Sequence, residues 1–340
     1  NREVAHEMTE KCLARSDAPY ISYCMACRDR FAREGRESRH ILELVYGTDA
    51  AFSWCASQFN CPWKGGNTRE VVADLMQLAG LKHVRERLQW QSWQWNAYGP
   101  VAFDGNEHAR NILFRHGFVV LDYFNGAAPH MRITPGNDSS MPKDLGAVYD
   151  FAKKSAQAFA PTMDAWEFYN EPEGAVPEPV WDYVAAMKAG ALGYRAGHPD
   201  AIVLNGPLCG IDTVRYTDEV FSGEAWKYLN AFSIHYYNPP AGCEKLFGQV
   251  REFLKRHSLD GAAIYVSECG SNLEGRSLIP APPPWEDCKM HSRDQEMVLM
   301  EFYPKSQIFM QMSGVSRNYF FNFFISFHYS IFNLFKQYSS

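Results

Sequence analysis

The chain has 340 residues, 46% of them hydrophobic and 21% charged, which supports a sizeable core and excludes global disorder. Lys plus Arg number 33 against 39 Asp plus Glu; the formal net charge of −6 gives no global bias towards nucleic acid or an anionic membrane surface. Aromatic residues make up 15% of the chain, an excess suited to stacking on ring-shaped ligands as well as to core packing.

Nine cysteines leave at least one unpaired within a monomer. Only Cys24 and Cys27 are closely spaced, and no second Cys-x-x-Cys completes a four-sulfur metal site. The start, Asn-Arg-Glu-Val-Ala-His-Glu, lacks the signal-peptide pattern and an initiator Met, so either a leader has been removed or the chain is a fragment. The compartment stays open, with an extracellular or periplasmic setting favoured.

Residues 1–48 read as a helical, Cys-containing N-terminal extension, broken at Ser16-Asp17-Ala18-Pro19. Stretches 21–31 and 40–46 resemble the Cys-rich part of heterodisulfide-reductase-like proteins, but the other cluster ligands are missing. A thiol or iron–sulfur redox protein is therefore a minor rival.

Residues 49–340 form the second region. From about residue 50 apolar strands alternate with amphipathic helices. Strands are expected at 51–58, 83–89, 118–123, 165–169, 201–204, 231–235, 263–267 and 315–321. Helices are expected at 68–79, 107–116, 143–158, 179–197, 244–257 and 294–312; Asn67 is a good N-cap for the first. Eight strands with intervening helices predict an α/β fold of the (β/α)8 TIM-barrel type. The aromatic run 318–335 is broken by Asn322, Ser326, His328, Ser330 and Asn333, which suits a last strand and a short closing helix better than a membrane span.

The most informative string is Trp166-Glu-Phe-Tyr-Asn-Glu-Pro-Glu173, in which a strand runs into Asn170-Glu171-Pro172. Proline ends the strand and is expected to hold Glu171 extended at its carboxyl end, where barrel enzymes keep their chemistry. A second string, Ile264-Tyr-Val-Ser-Glu-Cys-Gly270, leaves Glu268 at another strand end. A barrel spends roughly 31 residues per βα unit. The 97 residues from Glu171 to Glu268 are then close to three units, and the 64 from Glu171 to His235 close to two. The two glutamates would end strands 4 and 7, and His235 strand 6.

Asn170-Glu171-Pro172 and Glu268, with His83-Val-Arg85, Trp90 five residues on, and Phe232-Ser-Ile-His-Tyr-Tyr237, resemble the clan A retaining glycoside hydrolases: (β/α)8 barrels of the cellulase, β-xylosidase and mannanase type. The similarity spans roughly residues 50–325. It implies Glu171 as acid/base and Glu268 as nucleophile, with Asn170, Arg85, His235 and Tyr237 as neighbours. Trp90 and Trp54 are added as sugar-stacking candidates. One departure is the string Asn318-Tyr-Phe-Phe-Asn-Phe323, which lacks the Trp these enzymes often carry at the end of strand 8.

The chemistry needs these types. One carboxylic acid protonates the leaving oxygen, and one carboxylate attacks the anomeric carbon. The charge on Glu268 is expected to raise the pKa of Glu171 and keep its proton available. Glu173 is expected to be solvated and Cys269 to be buried packing. The function expected is a retaining O-glycosidase acting on a β-linked carbohydrate, with no metal or cofactor, no nucleic-acid partner and an oligomeric state left open. The alternatives are a transglycosidase and a carbohydrate-binding pseudoenzyme on the same barrel.

Overall fold

A computed structural model describes residues 81–210, 214–222, 224–270 and 293–320, with residue 14 and the shorter pieces 20–22, 31–32, 35–40, 54–57 and 69–78. The chain divides into two compact units, Ser53–Ser326 and a smaller one of Asn1–Phe52 with Phe327–Ser340.

In the smaller unit, strands Tyr20–Ser22 and Ser38–His40 pair in parallel. This corrects the helical reading of residues 1–48 at these positions. The aromatic and β-branched pair Tyr20-Ile21 follows Pro19 and favours an extended path.

In the larger unit, eight strands follow one another: β1 Trp54–Ser57, β2 His83–Gln89, β3 Val119–Asn125, β4 Met163–Phe168, β5 Ile202–Leu204, β6 Ala231–Tyr236, β7 Ala263–Cys269 and β8 Val315–Phe320. All pairings are parallel and follow chain order, and β8 pairs with β1 as well as with β7. The ring is joined unevenly. β2 and β3 share seven register pairs, whereas β5 and β6 share one, Leu204↔Ala231.

Helices lie between consecutive strands: α1 Arg69–Leu78, α2 Trp90–Trp93, α3 Asp104–Arg115, α4 Leu145–Phe159, α5 Pro172–Ala175, α6 Val180–Gly197, α7 Val214–Ser222, α8 Cys243–Arg256 and α9 Arg293–Met312. Asn67 and the helix expected after β8 lie outside the described residues. α7 was not expected. Its buried face is Thr217, Val220 and Phe221, a helical spacing in which a threonine takes one apolar position. Asp144 caps α4, accepting from the amides of Gly146 and Ala147. α6 approaches α4 at Gly193, where a Cβ would lie 2.3 Å from the carbonyl oxygen of Tyr149.

Two apolar layers result. Leu121, Ala165, Leu204, Ala231, Tyr265 and Tyr319 form one cluster; the strand register pairs Leu121 with Ala165 and Leu204 with Ala231, and these residues alternate with the outward residues of their strands. They form a floor inside the ring. The larger cluster, which includes Phe124, Phe151, Trp166, Phe168, Tyr183 and Phe232, packs strands against helices. Residues two or more positions further along each strand on the inward face stand above the floor, towards the carboxyl ends.

Candidate active site

Arg85 is the centre of the arrangement above the floor. It is fully buried on β2, and its guanidinium reaches three acceptors: Nε to Glu167 Oε2 at 2.7 Å, Nη1 to Glu268 Oε1 at 2.7 Å and Nη2 to Asn170 Oδ1 at 2.8 Å. The Tyr123 ring lies 4.1 Å from it. Burial works against the charge, but the carboxylates of Glu167 and Glu268 outweigh it and hold the Arg85 pKa above its ordinary value. Below the mouth, Glu167 also accepts the one hydroxyl proton of Ser233, so Ser267, 2.9 Å away, donates to Ser233.

Two backbone irregularities aim the carboxylates. On β7, Ser267 already faces inward, so strict alternation would turn Glu268 away. The pairing with β6 shifts register between Ile234↔Val266 and His235↔Glu268, a bulge that points Glu268 inward as well. After β4, Tyr169 and Glu171 have positive φ, 67° and 45°. Glu171 is therefore left-handed, not extended as the following proline suggested. Its amide donates to the Pro207 carbonyl at 3.1 Å, and its own carbonyl accepts from Gly174 and Ala175. These bonds hold a conformation that a non-glycine residue adopts at a cost.

Tyr237 donates its hydroxyl to Glu268 Oε2 at 2.7 Å, so both oxygens of Glu268 carry a donor. Burial and the Glu268 charge push the Tyr237 pKa up, so its proton stays in place. His235 Nδ1 lies 2.7 Å from Glu171 Oε1 and 3.6 Å from Glu268 Oε2. Among the described residues the buried His235 Nε2 has no partner, so the ring's hydrogen bonding to the carboxylates runs through Nδ1. The hydrogen bond from His235 holds Glu171 below its ordinary carboxylate value; burial opposes this, and the bond together with further donors and charges, Arg85 among them, outweighs it. This corrects the expected upward shift. Arg85 pairs directly with Glu268, and that screens its charge from Glu171.

One oxygen of Glu171, one of Glu268 and a ring nitrogen of His235 lie within 4.8 Å of one another. Such a trio is geometrically able to hold a cation. Here the Glu268 oxygens already carry Arg85 and Tyr237 as donors, and a buried guanidinium stands beside them, so the ligand set does not suit a dication.

Of the residues singled out in the sequence, Glu171, Glu268, Asn170, Arg85, His235 and Tyr237 come together. Trp90 does not: it is fully buried, stacks on Phe151 at 5.4 Å and donates Nε1 to Gln94. The short helix α2 turns its ring under the strand end into the outer core, so it offers no face to a sugar. Trp54 opens β1, at the amino end of the strand, opposite Asn318; its side chain lies outside the described residues. Glu173 is half-buried and accepts from the Cys209 amide, and burial raises its pKa, so it is not the solvated residue expected. Cys269 is buried, with its thiol against Tyr319 and Asn318, as packing. The sequence reading missed Tyr123, Ser233 and Cys209. Tyr123 carried a signal, because β3 alternation puts it two residues past Leu121 on the inward face.

No family model and no curated protein sequence matches the chain. Solved structures do. A family 39 glycoside hydrolase from Bacteroides cellulosilyticus WH2 aligns at a TM-score of 0.61 with 15% identity, over 79% of this chain and 56% of that one. A glucosidase from Croceicoccus marinus aligns at 0.60 with 15% identity, over 81% and 61%. Endoglucanase Cel5A from Thermotoga maritima aligns at 0.56 with 15% identity, over 80% and 89%. The chain thus spans less than two-thirds of the first two structures. At these identities the likeness shows a shared fold: a parallel α/β sheet curled as in glycoside hydrolase barrels. No helix among the described residues is long and apolar enough to cross a membrane.

Proposed function

We propose that the chain is a retaining O-glycoside hydrolase that cleaves a β-linked glycoside or oligosaccharide on a (β/α)8 barrel, with Glu171 as acid/base and Glu268 as nucleophile. The observation that carries this reading is the approach of a Glu171 oxygen to a Glu268 oxygen within 4.8 Å. Double displacement uses carboxyl groups about 5–5.5 Å apart, whereas inversion needs about 6.5–9.5 Å to admit a water. Fold likeness to several glycoside hydrolases supports the class.

In the first step a Glu268 oxygen attacks the anomeric carbon while Glu171 gives its proton to the departing glycosidic oxygen. An ester to Glu268 forms as the C–O bond breaks. In the second step Glu171, now a carboxylate, takes a proton from water; the water oxygen attacks the anomeric carbon and Glu268 leaves as a carboxylate. Arg85 and Tyr237 hold Glu268 in line. Arg85 also takes up Asn170 Oδ1, which leaves the Asn170 Nδ2 hydrogens for a sugar hydroxyl.

The test is a screen of β- and α-linked aryl glycosides and oligosaccharides, with NMR detection of the first-formed product anomer. The expected outcome is turnover of a β-linked substrate with the β-anomer appearing first. Initial release of the α-anomer, or turnover of none of the panel, removes the proposal.

A further inference from the structure

Arg87 stands two residues beyond Arg85 on the same face of β2, one step closer to the mouth. Unlike Arg85 it is exposed. Its Nε donates to the hydroxyl of Tyr123, and its guanidinium lies 5.4 Å from that ring. The same ring lies 4.1 Å from Arg85, so Tyr123 contacts both guanidinium groups, that of Arg87 through its hydroxyl. The carboxylates that could neutralise a cation here, Glu167 and Glu268, are both taken by Arg85. Among the described residues no carboxylate pairs with Arg87 and nothing hydrogen-bonds its two Nη groups.

Such a group is costly for the reaction unless it is used. The transition state places positive charge on the anomeric carbon, and a cation on the same inward face of β2 without a counter-charge opposes it. An anion brought by the substrate removes that opposition. Tyr123 fixes the base of the Arg87 fork, so little side-chain freedom is lost when the free edge binds a planar, two-oxygen group.

We propose that Arg87 reads a negative substituent on the sugar, so that the substrate class is an acidic carbohydrate carrying a carboxylate or a sulfate ester. The inference rests on the glycosidase reading for the role of the mouth, but binding can be measured without turnover. The experiment titrates the full chain calorimetrically with glucuronate, glucose 6-sulfate and glucose at low salt, then repeats the titration with Arg87→Gln and Arg87→Lys. Binding of at least one anionic sugar about tenfold more tightly than glucose is expected, the size of one charge-assisted hydrogen bond. Arg87→Gln should erase the difference and Arg87→Lys should keep part of it. Tighter binding of glucuronate assigns the carboxylate, and tighter binding of glucose 6-sulfate assigns the ester. Equal affinity for all three sugars, no binding of either anion, or an anion preference that survives in Arg87→Gln overturns the proposal. Anion-selective binding without turnover of any glycoside would leave this inference standing and remove the glycosidase reading. Turnover indifferent to charge would do the reverse.

Discussion

A buried arginine that serves three acceptors makes the site's geometry and its stability the same problem. Removing the guanidinium leaves Glu167 and Glu268 as uncompensated charges, of which Glu167 is fully buried. Breaking one side of such a pair costs about 3–5 kcal/mol. Arg85→Met should therefore lower unfolding free energy by that order as well as abolish turnover, as chemical denaturation will show; a loss below about 1 kcal/mol, the size of an exposed pair, counts against this account. Glu171 offers a pH test with a defined sign. Its carboxyl pKa is held low, chiefly by His235, and the first step of the proposed mechanism needs the protonated form. The alkaline limb of kcat/KM follows that pKa. His235→Phe removes the main lowering contact, so Glu171 keeps its proton to higher pH and the alkaline limb should move up. A limb that stays in place or moves down separates Glu171 from the acid role. Glu268→Ala should abolish turnover and azide should restore it with inverted anomeric configuration; rescue with retention, or wild-type-like activity without azide, assigns the nucleophile elsewhere.

At the scale of elements, close approach and free space make opposite predictions for the same substitution. Gly193 sits where α6 meets α4, and a methyl there would meet the backbone of Tyr149 at 2.3 Å. Backbone cannot yield as a side-chain tip can, so Gly193→Ala should cost about 1–3 kcal/mol. Gly248, within α8, has nothing within 4 Å of the added carbon. Gly248→Ala should stabilise by roughly 0.5–1 kcal/mol through helix propensity and the unfolded chain. The paired melting temperatures check both signs, and a common direction refutes the packing argument.

Strand order was legible in the sequence because it rests on local properties: apolar runs, amphipathic helices and a nearly constant βα length. That rhythm placed Glu171, His235 and Glu268 on strands that the fold sets around one mouth. Three details were not legible. Alternation cannot say that Glu268 follows an inward Ser267 onto the same face, since the bulge shows itself only in the pairing of β7 with its neighbours β6 and β8. Proline preference gave the wrong conformation for Glu171, because contacts with Pro207 and His235 override a local bias. Trp90, placed by sequence just past a strand end, is carried into the outer core by the turn of α2. Each miss is a long-range contact overruling a local rule.

For the molecule as a whole, closure is the property on which the site depends. Arg85 lies on β2 and Glu268 on β7, and the chain joins those strands both through β3 to β6 and through β8 and β1. β8 supplies the second route, with register pairs to β1 at Trp54, Cys55 and Ala56 and to β7 at Ile264, Tyr265, Val266 and Cys269. It also carries Arg317, which pairs with Asp164 of β4 at 2.6 Å and so ties β8 to β4 inside the ring. Without β8, the backbones of β1 and β7 would present unpaired donors and acceptors, and the inner floor would lose Tyr319. A chain ending at residue 313 should therefore lose the cooperative unfolding transition, bind a hydrophobic dye and aggregate, rather than persist as a slightly weakened fold. Circular dichroism melting with dye fluorescence decides the matter. A truncated chain that melts cooperatively and keeps turnover would mean that β2 to β7 hold Arg85 against Glu268 by themselves, and that closure adds nothing to the geometry of the carboxylates.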